Sequence, residues 1–297
     1  MDKKIMFKGV MPAVFSLYDE ERNVLKNSVK KMINMQLNAG VSGFYVGGNT
    51  GECTVLPVKT RKQMLETVME ANNGKGKIIA HIGAGLIDNA YELIQHANDC
   101  QVDAIASLPT SLQSYYDLNE VLDYYRIIAD RSKVPVIAYI TGIIKCDLLK
   151  LAEELMKIDN IIGLKMSVPD YYTFSKIKAL GDNVNLLNGP DETFLCGLSM
   201  GADGGIGTTY NFMPKMACGI YNDFKNGDMK SALEKQRKLN KVIDIGLSQN
   251  ISGWKAIMSF DGIDVGYTIE PRKMPNAEDL EQLKKRLETV DYFNMER

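Results

Sequence analysis

One lysine, Lys165, has a setting that suggests covalent chemistry. It stands inside an otherwise apolar run, Ile161–Ser167, which has the composition of a buried β-strand. Burial disfavours a charged amine and lowers a lysine's pKa, and a neutral amine is a nucleophile toward a carbonyl carbon. Lys165 is therefore predicted to form a Schiff base with a 2-oxo acid. The alternative is a structural lysine that extends to solvent or pairs with Glu52.

Two further features favour a reactive role for Lys165. Tyr139, at the end of the preceding predicted strand, could donate its hydroxyl to a carboxylate or transfer a proton at a hydroxyl-bearing carbon. The glycine-rich segment 47–52, GGNTGE, lets backbone N–H groups approach an anion, and Thr50 adds a hydroxyl donor. Each feature alone has a structural explanation, as a buried tyrosine or a tight turn. Their occurrence with Lys165 in one chain favours the chemical explanation.

An acidic pair, Asp191 and Glu192, follows Gly189 and Pro190 at a predicted helix start. Carboxylates in that position interact favourably with the helix dipole, which is a sufficient structural explanation. They could also accept hydrogen bonds from a polyhydroxylated substrate. The two roles are compatible, so the sequence leaves both open.

The elements that must position these residues alternate regularly between strands and helices. Eight strand–helix units predict parallel βαβ connections that close a (β/α)8 TIM barrel, an α/β fold with its active site at the carboxyl ends of the strands. The barrel is predicted over residues 1–226, and a helical extension, 227–297, is predicted to pack on it as one structural unit. The predicted strands are Val10–Phe15, Gly43–Gly47, Lys77–Gly83, Asp103–Leu108, Val134–Ile140, Ile161–Met166, Asn185–Asn188 and Asp203–Ile206.

Helix starts are predicted from capping residues. Asp88 and Asp147 are each predicted to be the N-cap of a helix, and Asp117 with Glu120 three residues later predicts a capping box.

Composition narrows the class of partner to small molecules. The 297 residues include 35 Lys+Arg and 37 Asp+Glu, a net charge of −2 with no run of like charge, which gives no reason to expect binding to nucleic acid. No apolar stretch approaches the length of a membrane span, so no membrane partner is expected. Five cysteines without a CxxC pair and two histidines predict no metal site, and buried or half-buried free thiols in the cytoplasm.

Three segments together resemble one enzyme superfamily. They are GGNTGE at 47–52, the Gly-x-Lys of 163–165 and GADGGIGTTYN at 201–211. Over nearly its whole length the sequence resembles the N-acetylneuraminate lyase and dihydrodipicolinate synthase superfamily of class I, Schiff-base aldolases. The lyase branch is the more similar, because NGPDE at 188–192 resembles a segment that holds a sugar chain and no arginine follows Tyr139.

The resemblance implies a role for each candidate residue. Lys165 would form the imine, and Tyr139 would relay the proton and contact the pyruvate carboxylate. Thr50, with the backbone at Asn49 and Gly51, would hold that carboxylate. Contacts to the hydroxylated tail and the bound acid would come from Ser167, Gly189, Asp191, Glu192, Gly207 and Thr208. The resemblance also implies a homotetramer that needs neither a metal nor an organic cofactor, because the lysine supplies the electron sink.

Three departures from the superfamily pattern surround the reacting centre. Tyr139 is followed by Ile-Thr-Gly where Asn-Ile-Pro is usual, Asn49 stands where serine or threonine is common, and Tyr115 or Tyr116 would have to replace a relay tyrosine after the fourth strand. The leading prediction is cleavage of N-acetylneuraminate to pyruvate and N-acetylmannosamine. The alternatives are a pyruvate-dependent aldolase or dehydratase for another sugar acid, and a barrel without turnover that binds such acids.

Overall fold

Eight parallel strands form the centre of the protein in a computed structural model that describes residues 5–109, 116–247 and 250–295. Neighbouring strands follow the chain order, as expected when each strand is joined to the next by a right-handed crossover. The strands are β1 (Gly9–Pro12), β2 (Gly43–Val46), β3 (Lys77–His81), β4 (Ala104–Ser107), β5 (Val136–Thr141), β6 (Ile161–Ser167), β7 (Asn185–Asn188) and β8 (Gly204–Gly207).

The sheet closes on itself, which confirms the predicted (β/α)8 TIM barrel. β1 pairs with β8 in a regular parallel ladder. On its other side β1 meets β2 through two backbone bonds, from Ser42 N–H to the Val10 carbonyl and from Val14 N–H to the Tyr45 carbonyl, each 2.9 Å long. The carboxyl ends of all eight strands therefore lie at one rim.

Helices surround the barrel and continue beyond it. α1 to α8 follow the strands in turn, and α9 to α12 come after the last barrel helix. The helices are α1 (Lys26–Asn38), α2 (Val58–Asn72), α3 (Ile87–Cys100), α4 (Leu118–Arg131), α5 (Leu148–Leu155), α6 (Tyr171–Lys178), α7 (Phe194–Ser199), α8 (Pro214–Lys225), α9 (Met229–Leu247), α10 (Ile251–Ile257), α11 (Ala277–Thr289) and α12 (Tyr292–Met295). Within the described residues, no helix is both long and apolar enough to cross a bilayer.

Two of the three predicted helix caps are confirmed. Asp117 and Glu120 form the capping box at the start of α4, and Asp147 accepts two backbone N–H bonds at the start of α5. The prediction for Asp88 was wrong. The N-cap lies two residues earlier, at Leu86, and α3 begins at Ile87. Asp88 lies in the first turn, where a carboxylate is favoured by the helix dipole without capping.

The barrel interior is filled by alternate residues of each strand, as the period of two requires. A buried cluster at the centre contains Met11, Tyr45, Ile79, Ala104, Ala106, Ile137, Ile162, Leu187 and Ile206. The register between β5 and β6 places Tyr139 opposite Lys165 and Thr141 opposite Ser167. The residues nearest the carboxyl rim therefore form a polar layer above an apolar interior.

The thiols differ in exposure. Cys53 and Cys218 are buried and Cys100 and Cys146 are half-buried, but Cys196 is exposed. The expectation of burial was wrong for Cys196, because α7 turns Leu195, Gly197 and Leu198 inward and leaves position 196 on its outer face.

Candidate active site

Lys165 lies on β6 with its amine between two aromatic rings. Its Nζ is 4.2 Å from the centre of the Tyr139 ring and 4.5 Å from that of Tyr45, and the residue is only 6% exposed. The structural alternatives of extension to solvent and pairing with Glu52 were wrong. Glu52 instead accepts hydrogen bonds from the hydroxyls of Tyr18 and Thr268, and no ion pair to Lys165 is found among the described residues.

A second buried lysine, Lys255, shows that burial alone does not identify the reactive amine. Burial lowers the pKa of Lys255 to about 8, a value that would make its amine a nucleophile. Its Nζ, however, donates to the Tyr267 carbonyl at 2.5 Å and lies 4.4 Å from the Tyr18 ring centre, on α10. Lys255 is therefore committed to internal bonds, whereas Lys165 lies in the barrel interior beside Tyr139.

Tyr139 is held in place by a helix behind it. The buried hydroxyl of Tyr125, on α4, accepts a bond from the Tyr139 N–H at 3.1 Å and donates to the Ser107 carbonyl at 2.8 Å. On the inner side, Ser167 Oγ donates to the Tyr139 hydroxyl at 3.5 Å, a long contact. The backbone of Tyr139 is thus fixed, while its hydroxyl stays available to a ligand.

His81, a residue that sequence reasoning missed, completes the interior layer. Its ring centre lies 5.8 Å from that of Tyr45 and 6.2 Å from that of Tyr139. Burial, and secondarily the charges of Arg61 and Lys165, hold the pKa of His81 well below its usual range. The ring is therefore neutral. Its Nδ1–H donates to the Gly47 carbonyl at 3.1 Å, and its Nε2 accepts the Leu108 N–H at 3.3 Å.

The segment 47–52 forms the turn after β2 that was predicted to hold a carboxylate. Thr50 is buried, and its Oγ1 lies 2.7 Å from Oγ1 of Thr208, so the turns after β2 and β8 meet. The Gly51 carbonyl accepts a bond from Ser16 Oγ at 2.8 Å. The side chain of Asn49 is exposed and accepts a weak bond from the Cys53 thiol.

Arg61, on α2, supports this turn from beneath. Its buried guanidinium donates to the carbonyls of Gly83 at 2.9 Å, His81 at 2.8 Å and Gly47 at 3.3 Å. Burial lowers the pKa of Arg61. Sequence reasoning missed this residue, because its partners are backbone carbonyls, which leave no signature in the sequence.

Asp191 lies in a 3₁₀ turn, Asp191–Thr193, after β7. Its Oδ2 accepts bonds from the backbone N–H of Thr209 at 2.7 Å and from the Thr209 hydroxyl at 2.6 Å. Burial raises its pKa to about 6, although the two bonds from Thr209 oppose that rise. A Cβ atom at Gly207 would lie 2.1 Å from Asp191 Oδ1, so glycine is required there. Asp191 and the turn after β8 are thus tightly joined.

The C-terminal helix α9 also holds the turn after β7. Gln236 Nε2 donates to the Asp191 carbonyl at 3.1 Å, and Gln236 Oε1 accepts the Leu195 N–H at 2.9 Å. Asn240 Nδ2 donates to the Glu192 carbonyl at 3.0 Å. Side chains of the extension therefore bond to the backbone of the candidate site.

Eight of the predicted site residues lie in four contacting pairs, and two others are exposed at the rim. Lys165 and Tyr139 are neighbours, and Ser167 adjoins Gly189 closely enough that a Cβ at Gly189 would lie 2.0 Å from Ser167 Oγ. The other two pairs are Thr50 with Thr208, whose hydroxyls meet, and Asp191 with Gly207, which lie in close approach. The side chains of Asn49 and Glu192 are exposed at the rim.

Of the two tyrosines that could replace the relay tyrosine after the fourth strand, the structure describes one. Tyr115 lies outside the described residues. Tyr116 is half-buried and packs against the hydrophobic core.

Comparisons with known proteins agree on one family. The profile of the Dihydrodipicolinate synthetase family matches residues 6–290. The N-acetylneuraminate lyase of Shigella boydii serotype 4 (strain Sb227) is 33% identical over 257 residues, which cover 85% of this chain and 86% of that protein. The chain therefore belongs to the dihydrodipicolinate synthetase family.

Solved structures of similar fold carry the same activity in their names. The Ruminococcus gnavus sialic acid aldolase superimposes with a TM-score of 0.89 at 31% identity, covering 97% of this chain and 98% of that one. A catalytic lysine mutant of the Ruminococcus gnavus protein superimposes with a TM-score of 0.88 at 31% identity, covering 97% of each chain.

Proposed function

We propose that this protein is a class I aldolase, a carbon–carbon lyase that cleaves N-acetylneuraminate reversibly to pyruvate and N-acetylmannosamine. The observation that carries the proposal is the buried amine of Lys165, held beside Tyr139 in the barrel interior without a carboxylate partner among the described residues. The similarity to proteins named for this activity, one of them recorded as a catalytic lysine mutant, supports it.

The first half of the reaction makes the electron sink. The Lys165 amine attacks the 2-oxo carbon of the open-chain sugar acid, and loss of water leaves a protonated imine. The flanking rings of Tyr45 and Tyr139 then face the cationic imine. Thr50 and the backbone at Asn49 and Gly51 hold the substrate carboxylate.

The second half breaks the carbon–carbon bond. Tyr139 relays the proton of the C4 hydroxyl, accepting it as its own phenolic proton passes to the substrate carboxylate, and the C3–C4 bond pair moves toward the imine nitrogen. N-acetylmannosamine leaves as the aldehyde, and an enamine of pyruvate remains on Lys165. Protonation at C3 and hydrolysis by water then release pyruvate and restore the amine. The covalent imine supplies the whole electron sink, so the proposed mechanism uses neither metal nor organic cofactor.

The hydroxylated tail is proposed to bind along the turns after β6, β7 and β8. Asp191 is suited to accept hydrogen bonds, because a pKa of about 6 leaves it ionised at neutral pH. Exposed Glu192 offers a second acceptor at the rim. The further contacts proposed for the tail are Ser167, Gly189, Gly207 and Thr208.

We expect the pKa of Asp191 to appear in the pH dependence of KM. Below about pH 6 the carboxyl gains a proton and loses acceptor strength, so KM for the sugar acid should rise as pH falls from about 7 to about 5. Asp191→Asn should raise KM at neutral pH and flatten its pH profile. Initial rates of pyruvate release across this range measure both, and an unchanged acid limb in the variant would contradict the role.

The Asp191 carboxyl should also make the stability of the fold depend on pH, in the opposite direction to its effect on substrate binding. Its folded-state pKa of about 6 lies above the ordinary 3.8, so between these values the folded protein binds more protons than the unfolded chain. The contribution of Asp191 therefore lowers the stability as pH rises through that window. Thermal unfolding of the wild type and Asp191→Asn at the two ends of the window measures this difference.

A second candidate is a pyruvate-dependent aldolase or dehydratase for a different 2-oxo sugar acid. The observation that favours it is the exposed amide side chain of Asn49, which lies at the rim beside the proposed carboxylate site. A barrel that binds 2-oxo acids or sialic acid without turnover is a third candidate. The free position of Lys165 beside Tyr139 weighs against it.

Incubation with N-acetylneuraminate, with pyruvate followed by coupled reduction, tests the proposal directly. We expect sustained pyruvate release that scales with protein concentration. Borohydride trapping with pyruvate runs in parallel. An imine trapped without release from N-acetylneuraminate would overturn the substrate assignment and favour the other sugar acids, whereas no trapped imine would overturn the aldolase itself.

We also propose that the chain acts in the cytoplasm as a homotetramer, in which 1–226 and 227–297 form one structural unit. The contacts of α9 with the turn after β7 support the single unit, and free thiols suit a reducing compartment. Light scattering should give four times the 33.1 kDa chain mass. A monomer mass would contradict the tetramer.

A further inference from the structure

Thr141, the last residue of β5, is a polar residue at the rim that the mechanism above does not use. The alternation of β5 turns Ile140 toward the surrounding helices and places Thr141 on the same side as Tyr139. Across the β5–β6 ladder Thr141 pairs with Ser167, as Tyr139 pairs with Lys165. The two hydroxyl side chains thus form a layer one pleat nearer the rim than the imine-forming lysine.

The Thr141 hydroxyl is buried without a partner. Its Oγ1 is shielded from solvent and has no hydrogen bond to any described residue. A buried hydroxyl is normally paired, and one left unpaired weakens the fold. Valine would fill nearly the same volume without that cost. A bound ligand that forms a hydrogen bond with Thr141 Oγ1 would explain why an unpaired hydroxyl is kept at this position.

The position of Thr141 indicates which part of a ligand can form a hydrogen bond with its hydroxyl. A 2-oxo acid bound through C2 to Lys165, with its C4 hydroxyl at Tyr139, must continue past the layer of Thr141 and Ser167 to reach the rim. The next carbon along the chain is the one that becomes C2 of the released aldehyde. Tyr139 and Ser167 already contact each other, which leaves Thr141 as the free hydroxyl of this side.

We infer that Thr141 is a specificity-determining residue, whose hydroxyl binds the polar substituent on the carbon next to the aldehyde carbon of the leaving sugar. This inference rests on the proposed aldolase function. Thr141 takes no part in imine formation or proton transfer. It distinguishes aldehydes with a hydroxyl or acetamido group at that carbon from those without one.

The test compares aldehydes in the condensation direction with pyruvate. Mannose and 2-deoxyglucose differ only in the hydroxyl at C2, and N-acetylmannosamine carries an acetamido group there. For Thr141→Val we expect kcat/KM to fall about tenfold with mannose and N-acetylmannosamine, chiefly through KM, and to change little with 2-deoxyglucose. Thr141→Ser keeps the hydroxyl and should retain most of the wild-type preference.

The outcomes separate this inference from the function on which it rests. Equal losses with all three aldehydes, or no loss with any, would overturn the role of Thr141 while leaving the aldolase intact. Borohydride trapping with pyruvate should be unchanged in Thr141→Val, which shows that the variant is folded and forms the imine. A wild type that condenses none of the aldehydes would overturn the proposed function, and this inference with it.

Discussion

Replacing Lys165 by alanine should abolish pyruvate release from N-acetylneuraminate, with kcat reduced by about 10⁴-fold or to background. The reason is chemical, because without the amine no imine forms and the electrons of the breaking C3–C4 bond have no acceptor. Lys165→Met, which keeps more of the side-chain volume between the rings of Tyr45 and Tyr139, should be equally inactive. Coupled measurement of pyruvate and borohydride trapping check both variants.

The fold should survive the loss of this lysine. The Lys165 amine is buried without a carboxylate partner among the described residues, so removing it relieves a desolvation cost rather than breaking an ion pair. We therefore expect the thermal midpoint of Lys165→Met to equal or exceed that of the wild type. An inactive variant that is also unfolded would leave the alanine result without mechanistic meaning, which is why both substitutions are compared.

Lys255 offers the matched control for this experiment. It is the other lysine buried in the described chain, and burial lowers its pKa to about 8, so its amine would be a nucleophile if ionisation alone decided reactivity. Its amine is bonded to the Tyr267 carbonyl, so Lys255→Met should still give the trapped adduct. An adduct that persists in Lys165→Ala, or that maps to the peptide containing Lys255, would contradict the assignment.

The sequence predicted the parts of the site that depend on strand ends. The positions of Lys165, Thr50 and Asp191 follow from the alternation of strands and helices, because every strand of such a barrel ends at the same rim. The caps at Asp117 and Asp147 were likewise predicted, since capping is local and its residue types are restricted. These features need no knowledge of long-range packing.

The residues that support the site could not be found in the same way. Strands of four or five residues, such as β2 and β3, do not show in the sequence which side faces the interior, so the roles of Tyr45 and His81 stayed hidden. Gln236 acts from a helix more than 40 residues beyond its partner Asp191 and bonds to its backbone carbonyl. Bonds to backbone atoms impose no residue type on the partner.

Arg61 is the clearest case of such hidden support, and its removal should have the largest effect on stability. Four carbonyls, those of Gly47, Cys53, His81 and Gly83, accept from its guanidinium, and the residue is only 4% exposed. Arg61→Met keeps the apolar stem but removes the guanidinium donors from these carbonyls, of which that of Gly47 still accepts from His81 Nδ1–H. We expect a loss of about 3 kcal/mol in the free energy of unfolding, because each unpaired buried acceptor costs about 1 kcal/mol or more.

The same variant should also weaken the site, because the Gly47 carbonyl begins the turn that is proposed to hold the substrate carboxylate. KM for pyruvate in the condensation direction should rise more than kcat falls, since Arg61 does not reach the reacting atoms. Arg126→Met is the control. Arg126 is exposed on α4, and its surface pair with Asp123 should contribute less than about 1 kcal/mol. Equal losses of stability in the two variants would show that Arg61 does not support the turn. A large loss confined to Arg61→Met would show that a buried cation on a barrel helix holds two strand ends in register for binding.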